Sequence, residues 1–336
     1  MLVTAIMKRD HEHMDLQQLR YVVEVAATSS FTRAAERCFV TQSALSHQIA
    51  ALERELGQRL FVRSSRSVRL TEAGEAFVPH ARAALLATEQ AKEDAAAAAG
   101  EIVGTLRLGV IPTVTAVDVP ALLVAYRAAH PAVRVELQVG NSDALMAAIR
   151  AGELDVALLG LREDVQPSGV ASRLLVTESL VAVVPSAHVL AKSASVRIRD
   201  LAGMTFADFP AGTSGRAQSD AAFAAEGVAR DVAFEADSAE LILGLVAAGL
   251  AVTLLAPGVV ARSTAYVVTV DVRRGPVRVE YVAWDAAAPR SVARAFLAVL
   301  EESPSAHEEA GPEKTPSPLP GVATTSRPRR PSPSTS

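Results

Sequence analysis

Between Thr41 and Gly57 the run TQSALSHQIAALERELG separates two kinds of side chain by helical spacing. At about 100° per residue, Leu45, Ile49, Leu52 and Leu56 share one narrow stripe. Ser43, His47, Ala50 and Arg54 lie opposite, with Ser46 on the flank and Gln42 at the N-terminal end. A merely solvated helix of this length usually carries more Glu and Lys. Short donors and acceptors near a helix N-terminus are what hydrogen bonding to base edges in a DNA major groove requires. Nearby, Arg63 and Arg66 bound the polar loop Arg63-Ser64-Ser65-Arg66-Ser67, where guanidinium groups can meet phosphates.

These side chains need a scaffold, and the flanking sequence supplies one. Thr41 is an N-cap, Val40 and Leu45 are spaced for a hydrophobic staple, and Gly57 suits the position just past a helix. Before it, Ser29 and Ser30 offer hydroxyl caps to a two-turn helix whose apolar residues are Phe31, Ala34, Ala35 and Cys38. Residues 16–27 form a mostly buried supporting helix. Residues 60–62 and 68–70 read as short strands around the polar loop, completing a winged helix-turn-helix. From Asp15 to Leu70 eight Arg and no Lys stand against five acids, a local +3 in a chain of net charge −4. Local positive charge is what phosphate binding needs. The candidate DNA contacts are Ser30, Thr32, Arg33, Thr41, Gln42, Ser43, Ser46, His47, Arg54, Arg63 and Arg66. One copy offers few base contacts, so specificity requires two copies on half-sites spaced by whole helical turns.

Thr71 then caps a segment that stays helix-favouring to Ala99. Phe77, Ala81, Ala84, Thr88, Ala91 and Ala95 recur at spacings of 4, 3, 4, 3 and 4, a heptad seam of mostly small residues that invites a partner helix. The expectation is a homodimer with Phe77, Ala81, Ala84, Thr88 and Ala91 at its seam. Pro79 should kink this helix or end a first section of it.

Residues 100–104 break the helix, and strands then alternate with helices. Strands at 105–111, 133–139 and 154–159 enclose helices at 120–129 and 142–151, a β-α-β-α-β order that predicts a parallel sheet. A second round has strands near 180–184, 205–207, 232–235 and 251–255 with helices at 214–226 and 238–248. Strands at 266–272 and 277–284 and a helix at 291–300 follow. The fold expected is α/β, with an all-α-dominated winged helix-turn-helix domain at residues 14–70 and a linker helix at 71–99. Two lobes then occupy 104–300, one about 104–175 plus 264–300 and the other about 176–263. Residues 301–336 hold eight Pro among many Ser and Thr and should be disordered, as should a leader at 1–13.

Half of the 336 residues are apolar, ample for buried cores in more than one domain. A single cysteine excludes an internal disulfide and a cysteine-rich zinc site, and Cys38 reads as a small core residue in a reducing compartment. The seven His show no metal-binding spacing. The opening residues lack the apolar length of a signal peptide or membrane span, which points to the cytoplasm and to no membrane partner. Glu153 with Asp155, or Asp237 with Glu240, could be offered as acid/base pairs. Asp155, however, begins a buried strand, and Asp237 precedes a helix, where a carboxylate is structurally expected. With no G-x-S-x-G, P-loop or G-x-G-x-x-G, the sequence supports no enzyme and no cofactor.

The run from Asp15, DLQQLRYVVEVAATSSFTRAAERCFVTQSALSHQIAALERELGQRLFVR and then LTEAGE, strongly resembles the N-terminal domain of LysR-type transcriptional regulators. The spacing of FTRAAE, TQSALSHQI, LE-x-ELG-x-RLF and LTEAG is more specific than any lone helix-turn-helix pattern. The resemblance implies a start at Met14, a linker helix through which two subunits pair, and assembly as dimers or dimers of dimers. VAVVP, DFPAGTSGRAQ and LVAAGLAV, weaker motifs, resemble the family's effector domain, two Rossmann-like lobes similar to type 2 periplasmic binding proteins. Many relatives have Pro where this chain has Ser43 and Arg where it has His47, so base preference does not carry over.

In such lobes ligands bind beyond the carboxyl ends of strands, where helix N-termini present free N–H groups. That rule selects Thr113, Thr115, Asn141, Ser142 and Leu161 in the first lobe, and Phe209, Pro210, Gly212 and Thr213 in the second. Hydroxyls, an amide and a Gly-containing turn suit a small-molecule effector bearing a carboxylate, although no Arg or Lys sits obviously in the cleft. The expected function is a regulator that binds double-stranded promoter DNA and senses a metabolite. The lobes alone would also fit the solute-binding protein of a transporter, but the preceding seventy residues and the missing signal peptide argue against it.

Overall fold

The computed structural model describes residues 14–63, 67–287 and 289–303; the expected leader, Arg66 and the expected tail beyond residue 303 lie outside the described residues. Helix α1 (Leu16–Thr28) opens on Asp15, whose carboxylate accepts the Gln18 N–H at 2.7 Å while the Gln18 side chain accepts from the Asp15 N–H. Ser29 closes α1 at φ +50°, so Ser30 alone caps α2 (Phe31–Arg37). Thr41 caps α3 (Gln42–Leu56), accepting from the Ala44 N–H at 3.2 Å, and Gly57 ends it at φ +65°. Leu45, Ile49 and Leu52 are fully buried in one cluster with Val22, Val25, Phe31 and Ala34. Leu56, expected in the same stripe, is 37 % exposed, because the last turn of α3 reaches past this small core. Strands β1 (Phe61–Arg63) and β2 (Val68–Leu70) pair antiparallel as the wing.

Helix α4 (Glu72–Ala98) runs unbroken through Pro79, which does not end it. A proline inside a helix costs about 3 kcal/mol, and tertiary packing offsets that cost here. Val78 joins the winged-helix core, Phe77 packs against it and Ala81 is buried. Two expected seam residues, Phe77 and Ala81, are thereby occupied within their own chain. Of the other expected seam residues, Ala84, Ala91 and Ala95 are exposed, and the Thr88 hydroxyl turns back to the Ala84 carbonyl at 3.0 Å.

Beyond α4 come β3 (Gly104–Val110), α5 (Val119–Ala129), β4 (Val133–Val139), α6 (Ser142–Arg150), β5 (Val156–Arg162) and β6 (Ala171–Ser179). The second lobe then contributes β7 (Val181–Pro185), β8 (Ser195–Val196), β9 (Thr205–Asp208), α7 (Ser214–Ala225), β10 (Asp231–Glu235), α8 (Ala239–Ala247), β11 (Thr253–Leu255), α9 (Pro257–Ala261) and β12 (Val267–Val272). The chain returns to the first lobe for β13 (Val277–Trp284) and α10 (Ser291–Glu302).

The first sheet has the order β4-β3-β5-β13-β6. β3 is parallel to β4 and β5, as helical crossovers dictate, whereas β13 is antiparallel to β5 and β6, so the whole sheet is mixed rather than parallel. β6 was not expected: its adjacent Leu174 and Leu175 break strand alternation, and the ladder shifts register opposite them at Glu280 and Tyr281. The second sheet runs β11-β7-β12-β8, and the parallel pair β9 and β10 joins it through a bridge between Phe206 and Val252. Residues 267–272, expected in the first lobe, pair with β7 and β8 instead. The first lobe's last strand position is already filled by β6, so the lobes divide near 180 and 273–276.

Charge docks α4 on the first lobe. Arg290 donates from Nε to Glu93 at 3.1 Å and from Nη1 to Asp155 at 3.0 Å, with all three residues buried. Asp155 also accepts the Arg107 N–H at 2.7 Å. Around this triad, Glu89 meets Arg107 at 3.2 Å, Asp94 meets Arg294 at 3.5 Å, and Arg82 pairs with Glu153. Glu153 and Asp155 thus serve as structural ties.

Candidate nucleic-acid interface and ligand cleft

Gln42, Ser43, His47 and Arg54 are exposed along α3, with Ser46 half-buried beside them. Gln42 Nε2 donates to Ser46 Oγ at 2.8 Å, and Arg63 Nη1 lies 3.5 Å from the same oxygen. The Arg63 guanidinium stacks 3.6 Å above the Phe31 ring, which meets Phe61 edge-on at 5.7 Å. Strand alternation sends Phe61 and Arg63 to the same side of the wing, and this brings the wing arginine to the flank of α3. His47 makes no hydrogen bond among the described residues. Ser30 and Thr41 use their hydroxyls as caps, and Arg33 Nη2 donates to the Thr28 carbonyl at 2.5 Å, so these three hold the helix junction. Thr32 is exposed beside them. Arg69, a further cation of the wing, is exposed on β2 opposite Val62.

Between the two lobes lies a cavity of about 360 Å³. Of the expected residues, Thr113, Asn141, Ser142, Phe209, Pro210 and Thr213 line it, and Thr115, Leu161 and Gly212 do not. Thr115 is bound to Glu280 through its N–H at 2.9 Å and its hydroxyl at 2.8 Å, while Leu161 and Gly212 border an adjoining depression with Asp143 and Ser214. Ser142 Oγ both donates to the Gly160 carbonyl and accepts from the Gly160 N–H, each at 3.0 Å. Ser214 Oγ donates to Asp143 at 2.7 Å, a direct bond from one lobe to the other.

No cation was expected in the cleft, yet Arg278 lines it. Its strand is far along the chain from the strand ends that the topological rule selects. The available signal is the pair Arg278 and Glu280 in VRVEYVAW, two charges on one face of an otherwise apolar strand. Both are buried. Arg278 donates to Thr113 Oγ1 at 2.9 Å, to Thr115 Oγ1 at 3.0 Å and to Glu280 at 2.6 Å, and it pairs with Glu178.

Asp208 sits behind the lining residues Phe209 and Pro210, accepting the Phe209 N–H at 2.7 Å and Arg230 Nη1 at 2.5 Å. Burial pushes its pKa up to about 6, against the opposing pull of Arg230. Because that value exceeds the unfolded 3.8, the folded chain holds a proton that the unfolded chain releases. This contribution to stability is full below about pH 4 and is lost as pH rises through about 6. Urea midpoints measured from pH 4 to 7 are expected to show this fall for the wild type and a flatter profile for Asp208→Asn; parallel profiles would contradict it.

A winged helix-turn-helix joined by a long helix to two α/β lobes around a cleft defines a transcriptional regulator with an effector-binding domain. Residues 16–75 match the family described as bacterial regulatory helix-turn-helix protein, lysR family, and residues 99–305 match the LysR substrate binding domain. The chain belongs to the LysR family of transcriptional regulators. It is 36 % identical over 251 residues to the transcriptional dual regulator GltC of Bacillus subtilis, covering 75 % of this chain and 83 % of that one. Full-length OxyR from Pseudomonas aeruginosa superposes with a TM-score of 0.65 at 29 % identity over 85 % of this chain and 95 % of that one. Full-length CbnR in complex with its target DNA gives a TM-score of 0.62 at 25 % identity over 86 % and 99 %. Both domains are matched, so a transporter's solute-binding protein is not favoured. Among the described residues no helix is long and apolar enough to cross a membrane.

Proposed function

We propose that two copies of this regulator pair along the open seam of α4 and set their α3 helices on two half-sites of a promoter. Gln42, Ser43, Ser46 and His47 then address base edges, and Arg54, Arg63 and Arg66 address phosphates. Ser30, Thr32, Arg33 and Thr41 position the recognition helix against the backbone. A small molecule held between the lobes, against Thr113, Asn141, Ser142, Phe209, Pro210 and Thr213, changes how the pair sits on the DNA. The protein acts in the cytoplasm and transforms no substrate.

The observation that carries this reading is His47, exposed and unpartnered on the face opposite the buried stripe of α3, beside an arginine of the wing. The test is retardation and footprinting of promoter fragments upstream of this gene and its neighbours with the full-length protein. A competitor-resistant, salt-sensitive complex protecting two half-sites a whole number of helical turns apart is expected. Binding that any competitor DNA abolishes would overturn the reading.

A further inference from the structure

The turn between α2 and α3 carries a residue that the fold does not account for. Phe39 holds φ at +55°, in the left-handed region where a side chain crowds the backbone and glycine is the usual occupant. The turn itself demands that conformation. The Phe39 N–H donates to the Glu36 carbonyl at 3.2 Å and the Val40 N–H to the Ala35 carbonyl at 3.0 Å, the bonds that lead the chain off the end of α2. The ring is 95 % exposed, more than any other large apolar side chain among the described residues. Its chain neighbours Cys38 and Val40 pack on the winged-helix core, and Phe39 does not. Glycine here would remove the backbone strain and the exposed ring together, so neither the turn nor the core explains a phenylalanine.

Its surroundings indicate what the ring meets. Phe39 stands two residues before Thr41, the N-cap of α3, at the end of the helix where Gln42 and Ser43 are exposed. Arg37, two residues on the other side, is exposed as well. The ring is thus bordered along the chain by a cation, hydroxyls and an amide, the groups that meet DNA. No other large apolar side chain between residues 17 and 55 is exposed, whereas an aromatic anchor for a protein partner sits within an apolar patch. The major groove of DNA offers one methyl group, at C5 of thymine, and phenylalanine is among the side chains that pack on it.

We propose that Phe39 is a further specificity-determining residue, its ring packed on a thymine 5-methyl group in each half-site while α3 occupies the groove; this rests on α3 being the reading helix. The contact supplies something the rest of the face lacks. Gln42, Ser43, Ser46 and His47 address hydrogen-bonding edges, which thymine and uracil share. Only an apolar contact distinguishes the two bases.

The test uses the full-length protein to enrich an operator from a random-sequence duplex pool, and then replaces each thymine of the enriched half-site in turn by deoxyuridine. Each replacement deletes one methyl group and leaves the hydrogen-bonding edges intact. At one thymine per half-site the wild type is expected to bind roughly three- to tenfold more weakly, the effect of leaving one methyl group unburied. Phe39→Gly, which relaxes the turn, is expected to bind the thymine operator at least threefold more weakly and to lose nothing further at that position. Phe39→Leu, apolar but without the ring, should keep a sensitivity to the methyl group. Both variants should retain the wild-type salt slope, because no phosphate contact is removed. The assignment is overturned if Phe39→Gly binds the operator as the wild type does. It is equally overturned if that variant binds more weakly yet keeps every deoxyuridine effect, the result expected of a turn that only shapes the helix junction. A specific operator indifferent to Phe39→Gly would leave α3 as the reader and remove Phe39 alone, whereas enrichment of no sequence would remove both.

Discussion

Arg290→Met is expected to destabilise the first lobe by about 3–5 kcal/mol, because it strands Glu93 and Asp155 in the buried junction between α4 and the lobe. Attraction among three buried charges does not by itself imply a large net stabilisation, since their desolvation opposes it. Removing the central cation is different: both carboxylates stay out of water with no counter-charge. Trp284, the only tryptophan, lies on β13 of the same lobe, so its fluorescence during urea unfolding reports the loss directly. Adding Glu93→Met to the first variant removes one stranded charge and should recover part of the loss. A midpoint change worth less than about 1 kcal/mol for Arg290→Met would show that water reaches the junction and that α4 is docked by its other contacts.

His47→Ala is expected to weaken operator binding by roughly ten- to a hundredfold, about 1–3 kcal/mol, while non-specific DNA is bound almost as before. Its ring is exposed, unpartnered and directed away from the buried stripe, so the substitution would remove the proposed contact to DNA without disturbing the core. Arg63→Ala should instead lower affinity on every sequence and reduce the salt slope by about one phosphate contact. Binding isotherms for both variants, on operator and on random DNA across a salt series, separate the two roles. Equal losses of specificity would refute the division between reading and anchoring.

The winged helix-turn-helix was legible because its determinants are local. Ser30 and Thr41 cap the helices they precede, Gly57 takes up the left-handed conformation a helix end needs, and Leu45, Ile49 and Leu52 follow one stripe. Leu56 shows where that logic stops, since periodicity names a face but not the length over which a neighbour covers it. Pro79 makes the same point, as a local penalty outweighed by the packing of Phe77, Val78 and Ala81. In the lobes, the parallel strands β3, β4 and β5 followed from short helical crossovers. β6 and the placement of β12 did not, because pairing partners distant in sequence decide them.

The cleft divides along the same line. Thr113, Asn141, Ser142, Phe209, Pro210 and Thr213 follow from strand ends alone, yet Arg278 on β13, Gln218 on α7 and Asp237 in the turn between β10 and α8, which also line the cavity, come from three separate parts of the chain. The amino-acid sequence by itself determined that this chain carries a DNA-reading helix, a wing and a long connecting helix, because caps, turns and helical periodicity act over a few residues. Only the tertiary structure decided which charges meet in the cleft and at the α4 junction. Arg278 with Glu178, and Arg290 with Glu93, are each brought together from about a hundred residues or more apart by strand pairing and helix docking.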